Sequence, residues 1–168
     1  KPRNRLINET DITSFIKMLI YGSYTNKDAF GIFSNTYNYK KDKALHELKP
    51  RALKKLINAI SNKQHKFLIG HNRLAVGSDS KNKNNHPFIT DNFVLVLNGI
   101  ISYDDDLKKK YKLNYNGEVD SLAIIHLLEH FYSKTNDVVK AIKKTCKELN
   151  GTYSGMLYDK NTQNIYYF

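Results

Sequence analysis

The sequence predicts one α+β domain in which helices pack against mainly antiparallel β-sheet. Three observations support this fold class. Apolar residues recur at helical spacing in several segments, short apolar runs bounded by turn residues lie between those segments, and the last two runs form a hairpin. The 168 residues suffice for one substantial core, and the chain contains no internal repeat.

The first quarter of the chain predicts a helix and then a β-hairpin. Asp11 can cap the helix, whose apolar face is formed by residues at helical spacing: Ile12, Phe15, Ile16 and Leu19. A short strand over 29–34 follows. It turns near Asn35 and returns through Tyr37 and Tyr39.

A second helix and a buried strand come next. The helix over 50–60 begins with proline, which is favoured at the first helical position. Residues 67–69 form an apolar strand that delivers His71 and Arg73 to its end. The polar segment 77–85 is then a surface loop.

The second half begins with a five-residue apolar strand, 93–97, which ends at Asn98-Gly99. Three helices follow, and each starts at a residue that can cap it: Asp104 or Asp105, Asp120 or Ser121, and Asp137. Two strands, 152–158 and 165–168, form the terminal hairpin.

The composition limits the classes of partner. A net charge of +11 could attract nucleic acid, acidic proteins or anionic membranes. The lysines are scattered along the sequence, and their abundance with Asn, Ile and Tyr is typical of an AT-rich genome, so a nucleic-acid partner is not expected. A membrane segment is not expected either, because no apolar run approaches about 20 residues. One cysteine and no signal peptide favour the cytoplasm, or a virion if the protein is viral.

Three short motifs carry the functional signal. They are His71-Asn72-Arg73-Leu74-Ala75, Asn85-His86-Pro87-Phe88 and Leu97-Asn98-Gly99. In this order and spacing they resemble the glutaminase domain of class-II (N-terminal-nucleophile) glutamine amidotransferases, most closely that of glucosamine-6-phosphate synthase. The resemblance runs from about Asp11 to the last residue. It implies the αββα sandwich of N-terminal-nucleophile hydrolases and a glutaminase activity. The six histidines show no metal-ligand spacing, and neither a metal nor a cofactor is expected.

Selective binding of free glutamine requires one fixed cation and one fixed anion. Arg73 is the candidate cation, because a guanidinium binds a carboxylate through two parallel hydrogen bonds. Taken alone, an arginine after a strand is more often a surface or salt-bridge residue. Asp120, in a run resembling the family's Thr-Asp-Thr-Glu, is the candidate anion for the substrate amine, although it could simply cap its helix.

The resemblance assigns the oxyanion hole to the Asn98 side-chain amide and the Gly99 backbone N–H, whereas an isolated Asn-Gly pair is usually a turn. His86 is expected to shape the pocket loop rather than to take a proton. Arg73, Asn98, Gly99 and Asp120 are expected to converge on one cleft.

The family's nucleophile is the cysteine of an N-terminal Cys-Gly-Ile strand, which residues 1–5 cannot be, since they are cationic and contain Pro2. Residues 1–168 are therefore expected to be a single type-2-like domain that lacks the nucleophile strand and the family's C-terminal strands. The nucleophile strand either precedes residue 1 or has been lost. Cys146 is expected to be a buried structural thiol, because it lies on the apolar face of a helix.

Three departures from the family pattern lower the expected activity. Val76-Gly77 replaces a Thr-His pair, Leu97 replaces a histidine and Leu122 replaces a glutamate. The first hypothesis is a glutaminase domain that supplies ammonia to an acceptor domain on a partner chain or in a larger assembly. The alternatives are a catalytically inactive binding or structural protein of a phage or virus, and a nucleic-acid-binding protein, which rests on charge alone.

Overall fold

Each half of the chain builds its own antiparallel sheet and covers it with helices. The structure, a computed structural model, describes residues 5–75, 78–79 and 81–168. The chain divides into two compact units, Lys1–Pro87 and Phe88–Phe168. Among the described residues, no helix is long and apolar enough to cross a membrane.

The first unit has a three-stranded sheet in the order β2-β1-β3, with both pairs antiparallel. Its elements in chain order are α1 (Glu9–Ser23), β1 (Ala29–Phe33), β2 (Asn38–Lys41), α2 (Pro50–Ser61) and β3 (Ile69–Arg73). The predicted strand 67–69 is misplaced, because β3 begins only at Ile69 and includes His71 and Arg73.

The start of α1 differs from the prediction. Its N-cap is Asn8, whose Oδ1 accepts a hydrogen bond from Asp11 N at 2.9 Å, while Asp11 Oδ2 accepts one from Asn8 N at 3.0 Å. Asp11 therefore closes a capping box from the third helical position and is not itself the cap. The guanidinium of Arg5 also binds this carboxylate, at 2.7 and 3.0 Å.

The core of the first unit lies between the helices and one face of the sheet. It joins apolar residues of α1, α2 and β1: Ile12, Ile16, Leu19, Leu56, Ile60, Phe30 and Ile32. Because side chains alternate along a strand, Gly31 lies on the opposite face. Gly31 is level with His71 on one side and with Lys40 on the other, and Ala29 is level with Arg73. His71 and Arg73 of β3 therefore occupy the face away from the helices. Asn72 lies on the helix face instead, where its Nδ2 donates to the Leu19 carbonyl at 2.9 Å.

The second unit has a four-stranded antiparallel sheet in the order β4-β5-β6-β7. Its elements are β4 (Phe88–Ile89), β5 (Phe93–Ser102), α3 (Asp104–Tyr111), α4 (Asp120–Thr135), α5 (Val138–Glu148), β6 (Asn150–Asp159) and β7 (Ile165–Tyr167). The prediction that a strand ends at Leu97 is wrong. β5 continues through Asn98-Gly99 and pairs with β6 along its whole length.

The core of the second unit lies between β5 and α4. Alternate residues of β5 pack against α4 and its neighbours: Phe93, Leu95, Leu97 and Ile101. The side chain of Asn98 therefore lies on the other face of the sheet, and it is exposed. Near the C-terminal end of α4, the Glu129 carboxylate accepts hydrogen bonds from Asn92 N and Nδ2, both at 2.8 Å.

Candidate active site

Arg73 is the last residue of β3, and only 6% of its surface is exposed. Its Nη1 donates to the Asp79 carbonyl at 2.7 Å and to Asn85 Oδ1 at 2.8 Å, while Nη2 donates to Ser78 Oγ at 2.5 Å. The guanidinium is thus held in one orientation by the segment that follows β3. Val76-Gly77, the predicted departure from the family pattern, lies outside the described residues.

Asp28 fixes the backbone at Arg73 and just after it. Asp28 N donates to the Arg73 carbonyl at 3.0 Å, and Asp28 Oδ2 accepts from Ala75 N at 2.7 Å. Because the chain is tied just before β1 and just after β3, the position of the arginine is set by the sheet and not by a flexible loop.

His86 is buried and precedes a cis peptide bond to Pro87. Its carbonyl oxygen passes so close to β1 that a Cβ added to Gly31 would lie 1.9 Å from it. Only glycine fits at this position. The His86 segment therefore covers the polar face of the first sheet.

Several groups that can carry positive charge surround His86. Its ring centroid lies 4.2 Å from that of His71. Burial chiefly, and then His71, Lys40 and Arg73, lower the pKa of His86 well below its ordinary value. Burial also lowers the pKa of Lys40 to about 8. His86 is therefore neutral at neutral pH, and Arg73 carries the permanent charge of this region.

Gly99 has a backbone conformation that L-residues avoid. Its φ is +149°, and an added Cβ would lie 2.3 Å from the Thr152 carbonyl oxygen and 2.5 Å from Tyr153 Cα. The β5–β6 ladder thus requires glycine beside the exposed Asn98. This requirement, and not a turn, accounts for the Asn-Gly pair.

Asp120 is the first residue of α4, and its carboxylate is tied to β5. Oδ2 accepts from Ile101 N at 2.8 Å, while Oδ1 accepts from Ser121 N at 2.7 Å and Ser121 Oγ at 3.2 Å. Ile101 is two residues beyond Gly99, about 7 Å along a strand. The second unit therefore places the Asp120 carboxylate beside β5, two residues along the strand from Gly99.

The surroundings of Asp120 are acidic. Burial first, and then the charges of Asp105 and Asp120, raise the pKa of Asp104. Three neighbouring carboxyl groups create a negative potential at the head of α4. An ammonium group is the ligand that such a potential favours.

Two of the three departures from the family pattern lie in the described residues, and both are apolar residues of the core. Leu97 and Leu122 are 3% and 7% exposed and belong to the same apolar core. The prediction that Cys146 is buried is wrong, because its residue is half-exposed. Burial first, and then a hydrogen bond with the Cys146 thiol, raise the pKa of Tyr153 to about 12.

No pattern in the sequence identifies the residues that hold Arg73. Asn85 lies in a predicted motif but was assigned no role, and Ser78 and Asp79 lie in a segment that reads only as polar loop. Lys40, whose charge contributes to the lowered pKa of His86, is one of many lysines, and nothing in the sequence distinguishes it from the others. No periodicity or motif distinguishes such contacts, since they depend on how a loop folds back.

Known proteins match the chain in sequence and in fold. Residues 71–168 match the family model described as a glutamine amidotransferase domain. Glutamine–fructose-6-phosphate aminotransferase (isomerizing) of Wigglesworthia glossinidia brevipalpis is 33% identical over 66% of the chain and 19% of its own length. The enzyme of the same name from Buchnera aphidicola is 27% identical over 92% of the chain and 26% of its own length. The chain thus spans about a fifth to a quarter of these relatives.

A solved structure shares the fold. Glutamine phosphoribosylpyrophosphate amidotransferase from B. subtilis, complexed with ADP and GMP, matches with a TM-score of 0.65 over 86% of the chain and 32% of its own length, at 19% identity. The predicted fold class, mainly antiparallel sheet with helices of the N-terminal-nucleophile type, is confirmed. The family match spans more than half of the residues. The chain therefore belongs to the class-II glutamine amidotransferase domain family.

Proposed function

We propose that this chain is the glutamine-hydrolysing part of an amidotransferase, in which Arg73 binds the α-carboxylate of glutamine and Asp120 binds its α-ammonium group. The observation that carries the proposal is the Asp120 carboxylate fixed on Ile101 N, two residues beyond Gly99. A carboxylate accepts about four hydrogen bonds, and Asp120 uses three. The Asp120 carboxylate can therefore accept a further hydrogen bond from an ammonium group.

Arg73 suits the carboxylate because it is already oriented. Its contacts with Ser78, Asp79 and Asn85 fix the guanidinium before a ligand arrives, which reduces the ordering cost of binding. His86 acts on the shape of this region and exchanges no proton at neutral pH, because its pKa is strongly lowered.

Acyl transfer places negative charge on the carbonyl oxygen of the substrate. The Asn98 side-chain amide and the Gly99 N–H are the proposed donors to that oxyanion, each worth about 3 kcal/mol. The exposure of Asn98 and the glycine-only geometry next to it support this assignment, since both groups lie at a rigid part of the β5–β6 ladder.

The nucleophile in this proposal is a cysteine that begins a Cys-Gly-Ile segment encoded before Lys1. Its own α-amine takes the thiol proton, and the thiolate attacks the side-chain amide carbon of glutamine. The α-ammonium returns that proton to the leaving nitrogen, which departs as ammonia, and water then hydrolyses the thioester to glutamate and the free thiol. An acceptor domain, on the same polypeptide or on a partner chain, consumes the ammonia. The longer relatives, named for transfer from glutamine to fructose 6-phosphate, support such an arrangement.

Ammonia release tests this function. The full gene product should convert glutamine to glutamate and ammonia, and replacing its upstream cysteine by serine should abolish the reaction. Residues 1–168 alone should release none, and Cys146→Ser should change neither protein. Turnover by residues 1–168 that Cys146→Ser abolishes would contradict the assigned nucleophile, and an inert full gene product would contradict the proposed function.

A further inference from the structure

All of the net charge of this protein belongs to its first unit. Residues 1–87 contain 17 lysines and arginines and 6 acidic residues, whereas residues 88–168 contain ten of each. No acidic residue occurs between Glu47 and Asp79. The positive charge is therefore not the uniform consequence of a lysine-rich composition.

Four cations of this acid-free stretch lie exposed at the beginning of α2: Lys49, Arg51, Lys54 and Lys55. Among the described residues, none of the four has a carboxylate within ion-pair distance. Cations at a helix N-terminus oppose the helix dipole. Helix stability therefore does not explain their placement.

Exposed aromatic side chains lie beside these cations. Tyr21 and Tyr24, at the end of α1, are 73% and 63% exposed. The ring of Tyr24 stacks on His46 with 4.4 Å between centroids, and Ser23 Oγ lies 3.0 Å from His46 Nδ1. His46 precedes Lys49 by three residues, which span about 10 Å at most.

The packing of the two helices explains this proximity. Ile7 N, just before α1, donates to the carbonyl of His65, just after α2, at 2.8 Å, whereas the end of α1 contacts the segment before α2. The helices share one core, so they are antiparallel neighbours. The tyrosines and the cations are consequently at the same end of the pair.

We propose that this tyrosine–lysine surface, formed by Tyr21, Tyr24, Lys49, Arg51, Lys54 and Lys55, binds single-stranded nucleic acid. Phosphates pair with the cations, and unstacked bases stack on the tyrosine rings. An acidic polypeptide would use the cations but gain nothing from the exposed rings, so the aromatic component favours a polynucleotide. RNA and DNA offer the same two groups.

Fluorescence anisotropy with a labelled strand of about 20 nucleotides, prepared as RNA and as DNA, tests the proposal on the full chain. The variant Arg51→Gln/Lys54→Gln/Lys55→Gln should bind more weakly. Its affinity should also depend less steeply on salt: the magnitude of the slope of log affinity against log salt concentration should decrease by about 2, or roughly 0.7 for each lost phosphate contact. The matched variant Lys109→Gln/Lys143→Gln/Lys147→Gln removes three exposed cations from the second unit. It should retain the affinity within about twofold.

Substitutions of Tyr21 show whether the surface binds bases by stacking or binds only phosphates through its charge. Tyr21→Ala should weaken binding by about tenfold, and Tyr21→Phe should preserve it. Equal losses in the two triple variants, an unchanged affinity in Tyr21→Ala, or equally good competition by polyglutamate would each overturn the proposal. Tighter binding of one strand type would identify RNA or DNA as the ligand.

Discussion

Gly99→Ala should disrupt the β5–β6 ladder and, with it, the proposed oxyanion donors. The substitution adds one methyl group at a residue whose φ is +149°. That methyl group would lie 2.3 Å from the Thr152 carbonyl oxygen, a backbone atom that cannot rotate away. The structure can accept alanine only if β5 changes its backbone angles and β6 moves.

The expected cost follows from these two changes. A non-glycine residue in this φ region costs about 1–3 kcal/mol. Separating the strands weakens one or two ladder hydrogen bonds, each worth about 1 kcal/mol. A total of about 2–5 kcal/mol is a large part of the 5–15 kcal/mol that is usual for a folded protein. For a chain of this size it lowers Tm by roughly 10 °C.

Thermal unfolding of wild type and variant measures this cost. Gly155→Ala in β6 is the control, because the three atoms nearest its Cβ belong to the ring of Phe168, a side chain that can shift where a backbone carbonyl cannot. It should lower Tm by less than half as much. A Gly99→Ala protein that melts within about 2 °C of wild type, or together with Gly155→Ala, would refute the claim that this position requires glycine.

Three further predictions concern burial and charge. Folding lowers the pKa of His86 well below 6.5, the ordinary value of an imidazole. The free energy of unfolding should therefore be highest above pH 6.5. As the pH drops below 6.5, it should fall by up to about 1.4 kcal/mol per pH unit. Urea titrations at about pH 7 and pH 5 should show a smaller difference in His86→Gln. Asn85→Ala removes an acceptor of Arg73 and should lower unfolding free energy by about 1–3 kcal/mol in urea, whereas no loss would contradict the contact. Leu97→His should lower Tm despite restoring the family residue, because it buries an imidazole in an apolar core.

Much of the fold could be predicted because helices and strands repeat their apolar residues with different periods. Pro50 marks the observed start of α2, and the face predicted for α1 is the face that packs. The extent of β5 could not be predicted. Asn98 and Gly99 are usual turn residues, and only pairing with β6 holds them in a strand.

The candidate site was predictable where a motif required a particular residue. Gly99 occupies a position that no side chain can enter, and Asp120 begins a helix. The partners of these residues were not predictable. Asp120 binds a backbone N–H of β5, and Arg73 binds the side chain of Asn85, contacts that depend on tertiary packing and leave no local pattern.

Calorimetric titration of the full gene product with L-glutamine measures the proposed binding by Arg73 and Asp120. We expect heat of binding with the wild-type protein and none with Arg73→Ala or Asp120→Asn. Thermal unfolding should first establish that each variant is folded, with Arg73→Lys as a substitute if the alanine variant is not. Lysine keeps the charge but loses the bidentate geometry, so affinity should still fall. An absence of heat with the wild-type protein, or undiminished heat with the folded variants, would contradict the assignment of a glutamine site to Arg73 and Asp120.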